Sequence, residues 1–174
     1  MGSSQSGSEA SGGRVPHDLN GRPVPPSRRQ RLAARLGGRR APSAIGVDDA
    51  DLQVVVACTD DAASSSAVLA GSPWRSDDQA VVRHLVALPG ERVDEAVALA
   101  ALDGYRPVSP TAALPAPEIA IPDGHVSVLL ARVQLVDALH LSQERSRMAG
   151  LGARHGGVAL AWQVLQRAVA TQEP

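Results

Sequence analysis

Residues 81–108 read VVRHLVALPGERVDEAVALAALDGYRPV, and this stretch decides the fold. The run Val81 to Leu88 is largely apolar and predicts a strand. A Pro-Gly turn leads into a predicted helix over 91–103, whose apolar residues recur at the i, i+3, i+4, i+7 spacing. Gly104 stands where a left-handed C-cap is expected. Tyr105 to Val108 begins a second strand, so the stretch predicts a strand-helix-strand unit.

A second unit of the same kind follows a proline-rich connection. His125 to Leu135 alternates in side-chain character and predicts a third strand. A second helix lies within Asp137 to Arg154, and both Asp137 and Ser142 are candidates for its N-cap. Val158 to Leu165 predicts the last strand. The order β-α-β-β-α-β predicts an α+β domain of ferredoxin-like plan, with one antiparallel sheet and two helices on one face.

Charge and composition divide the chain into three parts. Residues 1–47 are rich in Gly, Ser, Pro and Arg and carry eight arginines against two acids, which predicts a disordered, Arg-rich arm. Residues 48–77 contain a β-rich run that predicts an extra strand, then 59–72, for which a short helix and a loop are both open, then a linker. Residues 78–170 form the predicted ferredoxin-like domain. Residues 48–174 carry nine arginines against sixteen acids, so the body is acidic.

Composition also excludes several classes of protein. The chain of 174 residues has no Phe, and its aromatic residues are Trp74, Tyr105 and Trp162, so the core must be mostly aliphatic. A single cysteine, Cys58, excludes an internal disulfide framework and a cysteine zinc site. The sequence contains neither an apolar run of membrane-spanning length nor a secretory leader. We therefore expect a cytoplasmic protein without membrane contact.

Two groups of residues carry a family resemblance. In the first half they are Asp94-Glu95-Ala96, Leu102, Gly104-Tyr105 and Val108; in the second half they are Val133 to Asp137, Glu144, Leu151, Gly156-Gly157 and Trp162. Over roughly residues 80–165 these resemble the RraB-like family, the protein inhibitors of ribonuclease E. The chain departs from the family's Gly-Gly-x-Tyr-Asp-Gly-Trp signature at Ala159, Leu160 and Ala161.

The resemblance implies a non-enzymatic regulatory module that binds a protein partner, with an RNA-degradation nuclease as the partner class and no cofactor. It makes Asp94, Glu95, Tyr105 and Trp162 candidate partner-binding residues. An alternative of a different class is a small-molecule sensor on the same plan, with its ligand at a dimer interface or between sheet edges. A third is an enzyme that uses His84 and a nearby acid, for which a concave pocket around His84 is the discriminating feature.

Motifs for catalysis and metal binding do not occur at the required spacing. There is no nucleophile elbow, no phosphate-binding glycine loop after a strand, and no His-Glu-x-x-His. His140 and Glu144 have an i, i+4 spacing that suits a metal, but a solvated helix pair is the preferred interpretation. The sequence therefore predicts no metal site and no catalytic residue.

The arm carries the candidates for nucleic-acid contact, which are Arg28, Arg29, Arg31, Arg39 and Arg40. Guanidinium groups in such number attract phosphates without regard to sequence. Because the arm and the acidic domain have opposite charges, the arm folding back onto the domain is an equal alternative.

Overall fold

The computed structural model describes residues 15–25, 44–109 and 119–168. These residues form five strands and three α-helices, so the predicted α+β class is confirmed. The strands are β1 (Leu52–Cys58), β2 (Ala80–Pro89), β3 (Arg106–Val108), β4 (His125–Gln134) and β5 (Val158–Arg167). The helices are α1 (Ser65–Ala70), α2 (Val93–Leu102), which follows a 3-10 turn at Gly90–Arg92, and α3 (Ala138–Arg154). In the described ranges, no helix is both long enough and apolar enough to cross a bilayer.

The sheet is antiparallel, with strand order β1-β5-β2-β4-β3. Strand β2 is central, and Ala80 to Leu88 are all buried between β4 and β5. A strand covered on both faces needs apolar residues at consecutive positions, which explains why this run is apolar except at Arg83 and His84. β1 pairs with β5, so the β-rich run before Cys58 is an outer strand of the same sheet.

The three helices cover one face of the sheet, the face that carries Val82, Val86 and Leu88. The sequence predicts two helices on this face. The third helix is α1, which lies within 59–72, where the sequence allows both a short helix and a loop. Ser64 caps it by accepting a hydrogen bond from the backbone N–H of Ala67 at 3.3 Å. The opposite face is covered in part by Ile45 and Val47, each only 4% exposed.

Local chemistry sets the ends of the two longer helices. Asp137, not Ser142, is the N-cap of α3, because its side chain accepts a hydrogen bond from the backbone N–H of His140 at 2.7 Å. After α2, Gly104 has φ +80°, the left-handed conformation predicted for it. These two caps fix the points at which the chain turns back toward β3 and into α3.

The segment 15–25 belongs to the predicted arm, and it contacts the domain through backbone hydrogen bonds. Gln79 pairs with both backbone groups of His17, accepting from its N–H at 2.7 Å and donating to its carbonyl at 2.8 Å. The backbone N–H of Leu135 donates to the carbonyl of Asp18 at 3.1 Å. The segment therefore caps the end of the sheet where β2 begins and β4 ends.

Both outer strands of the sheet are irregular. β3 has only three residues, and its middle residue is Pro107, which has no N–H to donate. In β1, Val54 faces Leu165 and Val56 faces Val164, so Val55 forms a bulge. Short length, proline and bulges are the devices by which sheet edges avoid further pairing.

Candidate functional site

A charged cluster lies buried between the sheet and α3. Its centre is Glu144, whose side chain is only 4% exposed. One carboxylate oxygen accepts a hydrogen bond from the Tyr105 hydroxyl at 2.5 Å. The other oxygen lies 3.0 Å from the guanidinium of Arg132 and accepts from Arg147 at 2.8 Å. A buried carboxylate is tolerated only with such compensation, and here both oxygens have partners.

Arg132 is equally enclosed and joins α3 to strand β4. Its guanidinium donates to the side-chain oxygen of Gln134 and, at 2.8 Å, to the backbone carbonyl of Asp103. It also stacks over the Tyr105 ring, 4.6 Å from the centroid. Burial is the main cause that raises the pKa of Tyr105 above its usual value, so its hydroxyl stays protonated and donates.

A small cavity of about 60 Å³ adjoins this cluster on the side of β1 and β5. His84 and Trp162 lie beside each other on β2 and β5 and line it, together with Cys58 from β1 and Arg145 from α3. Within the described part of the chain, His84 Nε2 and Trp162 Nε1 are buried without a hydrogen-bond partner. The His84 ring meets the Tyr105 ring edge to face, with centroids 5.8 Å apart.

The pKa of His84 is lowered to about 3, mainly by burial and in smaller part by the positive charges of Arg132 and Arg145. The imidazole is therefore neutral at physiological pH and is a very weak base. A general base works best with a pKa near the operating pH. A pocket does border His84, but this residue is unsuited to abstract a proton there.

We expect the stability of the protein to depend on pH through His84. Its pKa is about 3 in the folded chain, against an ordinary 6.5 when unfolded, so the unfolded state takes up the proton first. The stability that neutral His84 contributes is complete above pH ~6.5 and is lost progressively as the pH falls toward ~3. As the pH falls below ~6.5, the free energy of unfolding of the natural chain should fall more steeply than that of a His84→Gln variant. The difference should reach up to about 1.4 kcal/mol per pH unit.

Urea denaturation of both proteins between pH ~5 and ~7 measures this difference. The glutamine variant is the reference because carboxylates that titrate at lower pH contribute equally to both proteins. Identical pH slopes would show that His84 takes up its proton in the folded state as readily as in water.

The structure does not bring the four candidate partner-binding residues together. Asp94 and Glu95 are exposed in the first turn of α2, where Glu95 pairs with Arg92 at 3.1 Å. Tyr105 and Trp162 are buried, at 2% and 4% exposure, in different core clusters. The candidate nucleic-acid contacts, Arg28, Arg29, Arg31, Arg39 and Arg40, lie outside the described residues.

The outer face of α2 combines acidic and apolar side chains. Leu102 is 82% exposed and Leu99 is 38% exposed, on the helix whose first turn carries Asp94 and Glu95. The buried side of the same helix is formed by the small residues Ala96 and Ala100. Small residues inside and leucines outside reverse the usual arrangement of an amphipathic helix.

His140 and Glu144 do not form the solvated helix pair that the sequence favours, because Glu144 is buried. His140 Nδ1 lies 2.9 Å from the carboxylate of its neighbour Asp137, whereas Glu144 turns inward to Arg132. Across residues 15–25, 44–109 and 119–168, no group of three or more His, Cys, Asp or Glu is arranged to hold a metal ion.

Sequence reasoning missed the two charges at the centre of the cluster, although a signal for one was present. Leu141, Glu144, Met148 and Leu151 follow one another along a single buried stripe of α3. A glutamate on an apolar stripe indicates a buried, paired carboxylate. Arg132, in contrast, alternates with apolar neighbours in the manner of a solvent-facing strand residue.

Comparison with known proteins found no match. No family model, no curated protein and no solved structure matches the chain. The resemblance to the RraB-like family therefore stays a prediction.

Proposed function

We propose that the chain is a non-enzymatic regulatory module of the cytoplasm that binds a basic segment of a protein partner through the outer face of α2. The observation that carries the proposal is the exposure of Leu102, 82% accessible on the helix that also carries Asp94 and Glu95. Exposed leucines beside carboxylates suit a segment that alternates apolar and basic residues. The acidic balance of the body extends this attraction over a longer range.

The resemblance to ribonuclease E inhibitors names the partner class, an RNA-degradation nuclease. It is supported by the strand order β5-β2-β4-β3, which suits a ferredoxin-like plan built from β2-α2-β3-β4-α3-β5. On this proposal β1 and α1 are additions beside β5. Asp94, Glu95 and Leu102 belong both to the residues that resemble the family and to the exposed face of α2, so the two observations point to the same surface.

We expect the double variant Asp94→Arg/Glu95→Arg to bind a purified ribonuclease E-type enzyme about tenfold more weakly than the natural chain at low ionic strength. Both carboxylates are exposed, so the fold should be retained. Leu102→Ser should weaken binding without changing the net charge. Calorimetric titration measures the affinity, and cleavage of a labelled RNA measures inhibition.

Asp61→Arg/Asp123→Arg is the matched control, because it changes the net charge equally at exposed positions outside α2. It should alter the affinity by less than about threefold if contact at α2, and not net charge, decides binding. No binding by the natural chain, or equal losses in the two double variants, would refute the proposed surface.

A further inference from the structure

Two residues that line the cavity beside His84 each carry a buried polar atom that the fold leaves without a partner. His84 Nε2 and Trp162 Nε1 are both buried, and neither forms a hydrogen bond within the described residues. The side chains that carry them belong to residues only 2% and 4% exposed. An unpaired buried polar group lowers stability, so such groups in a native protein point to a missing partner.

The charge around the cavity is positive on the side of α3. The Arg145 guanidinium lies 5.5 Å from the centroid of the Trp162 ring. Its position is fixed by backbone carbonyls, since it donates to Ala63 at 2.6 Å and to Asp61 at 2.9 Å. The indole N–H can only donate, and the nearby guanidinium is a cation. A ligand that accepts hydrogen bonds and carries negative charge fits both groups.

Two acidic residues also line the cavity, and both are exposed. The Asp60 side chain accepts a hydrogen bond from the backbone N–H of Ala62 at 2.9 Å. The Asp61 carboxylate is fully exposed and lies 4.0 Å from Arg145. Because these carboxylates are solvated, they leave the inner end of the cavity to the neutral imidazole, the indole and the guanidinium.

The volume limits the part of a ligand that can enter. A cavity of about 60 Å³ has room for a few water molecules, and a carboxylate group fits the same space. A wider groove of about 550 Å³ between α1 and α3 shares Asp61, Arg145 and Ala149 with the cavity. Its lining includes five serines, which are Ser64, Ser65, Ser66, Ser142 and Ser146. Polar walls of this kind suit a hydroxylated molecule.

A bulge in β5 shapes the inner wall. Leu85 faces Ala161 and Val86 faces Ala159, so Leu160 is the extra residue between them. All three β5 residues line the cavity. Bulges change the direction of neighbouring side chains and occur often beside binding sites.

We propose that the cavity between β1, β5 and α3 binds the carboxylate of a small hydroxylated acid, held by Trp162 Nε1, His84 Nε2 and Arg145. The acid's body lies in the serine-lined groove. The neutral imidazole takes part as the tautomer that carries hydrogen on Nε2. This site is independent of the proposed partner surface on α2, so either can fail without the other.

The indole N–H resonance of Trp162 provides a direct test. The chain has two tryptophans, so a ¹⁵N-labelled sample gives two indole signals, and a Trp162→Phe variant assigns them. Titration with sodium glycolate or sodium acetate should shift the Trp162 signal downfield in a saturable manner. The Trp74 signal should move less, and sodium chloride at equal ionic strength should leave both signals in place. A Trp162 signal that does not move, or that moves equally with chloride, would overturn the proposal.

Three variants locate the site. Arg145→Met should weaken glycolate binding about tenfold, whereas Arg154→Met, an exposed arginine in the last turn of the same helix, should leave it unchanged. Ala149 lines both the cavity and the groove, so Ala149→Met places a longer side chain between them without removing a charge. This variant keeps the test decisive if Arg145→Met does not fold. It should also abolish the saturable shift, and unchanged binding in Ala149→Met would contradict the assignment.

Discussion

Replacement of Glu144 by alanine is expected to lower the free energy of unfolding by about 3–5 kcal/mol. The carboxylate compensates the guanidinium of Arg132, which is itself only 4% exposed, and accepts a hydrogen bond from the hydroxyl of Tyr105. Removing it leaves a buried cation with one neutral side-chain partner, Gln134, and one backbone carbonyl. The cost of leaving that charge uncompensated, more than the lost contacts, sets the size of the effect.

Urea denaturation measures the change, and Glu95→Ala is the matched control. Glu95 is 61% exposed and pairs with Arg92 on the helix surface, so its loss should cost about 0–1 kcal/mol. Tyr105→Phe removes one of the hydrogen bonds and should have an intermediate effect, about 1.5–3 kcal/mol. If the free energy of unfolding of Glu144→Ala lies within about 1 kcal/mol of that of the natural chain, water must reach Arg132. The cluster would then not be an ion pair shielded from solvent.

Gly157→Ala is expected to lower the free energy of unfolding by about 3 kcal/mol or more. A Cβ atom there would lie 2.0 Å from the backbone oxygen of Ala87 and 2.8 Å from a methyl carbon of Leu88. The first contact is with the backbone of the central strand, so no side-chain rotation relieves it. Thermal and urea unfolding measure the loss.

Two other glycines test whether space or conformation is responsible. Gly90 has no heavy atom within 4 Å of the added Cβ, so Gly90→Ala should change stability by no more than about 0.5 kcal/mol. Gly156 has φ +70°, and alanine there should cost about 1–2 kcal/mol through backbone conformation. A ranking in which Gly156→Ala is worse than Gly157→Ala would contradict the close-approach explanation.

The same glycine pair shows how far the sequence could predict the fold. Adjacent glycines after a helix indicate a tight reversal, and Gly156 does adopt the left-handed conformation. Glycine is required at position 157 because the backbone of β2 passes close to it. This contact joins residues that are far apart in the sequence, so no local pattern predicts it. Strand β2 and helix α2 were predictable within a few residues because each has a local period and a local end signal.

The candidate site was much less predictable. Arg132, Tyr105 and Glu144 come from β4, the turn after α2, and α3, and no local pattern shows that they meet. Arg132 alternates with apolar residues, so it resembles a surface position until α3 is placed over that face. The contact between His17 and Gln79 could not be predicted either. It consists of two hydrogen bonds to one side-chain amide, and such a contact produces no repeating pattern in the sequence.

The irregular outer strands have a consequence for behaviour at high concentration. A sheet that ends in a regular strand can recruit a copy of itself, which is the first step toward amyloid-like stacking. Here one edge ends in three residues around Pro107 and the other is bent at Val55. Among the residues that the structure describes, the sheet therefore has no straight edge to extend, and we expect aggregation to begin from unfolded chains and not from native ones.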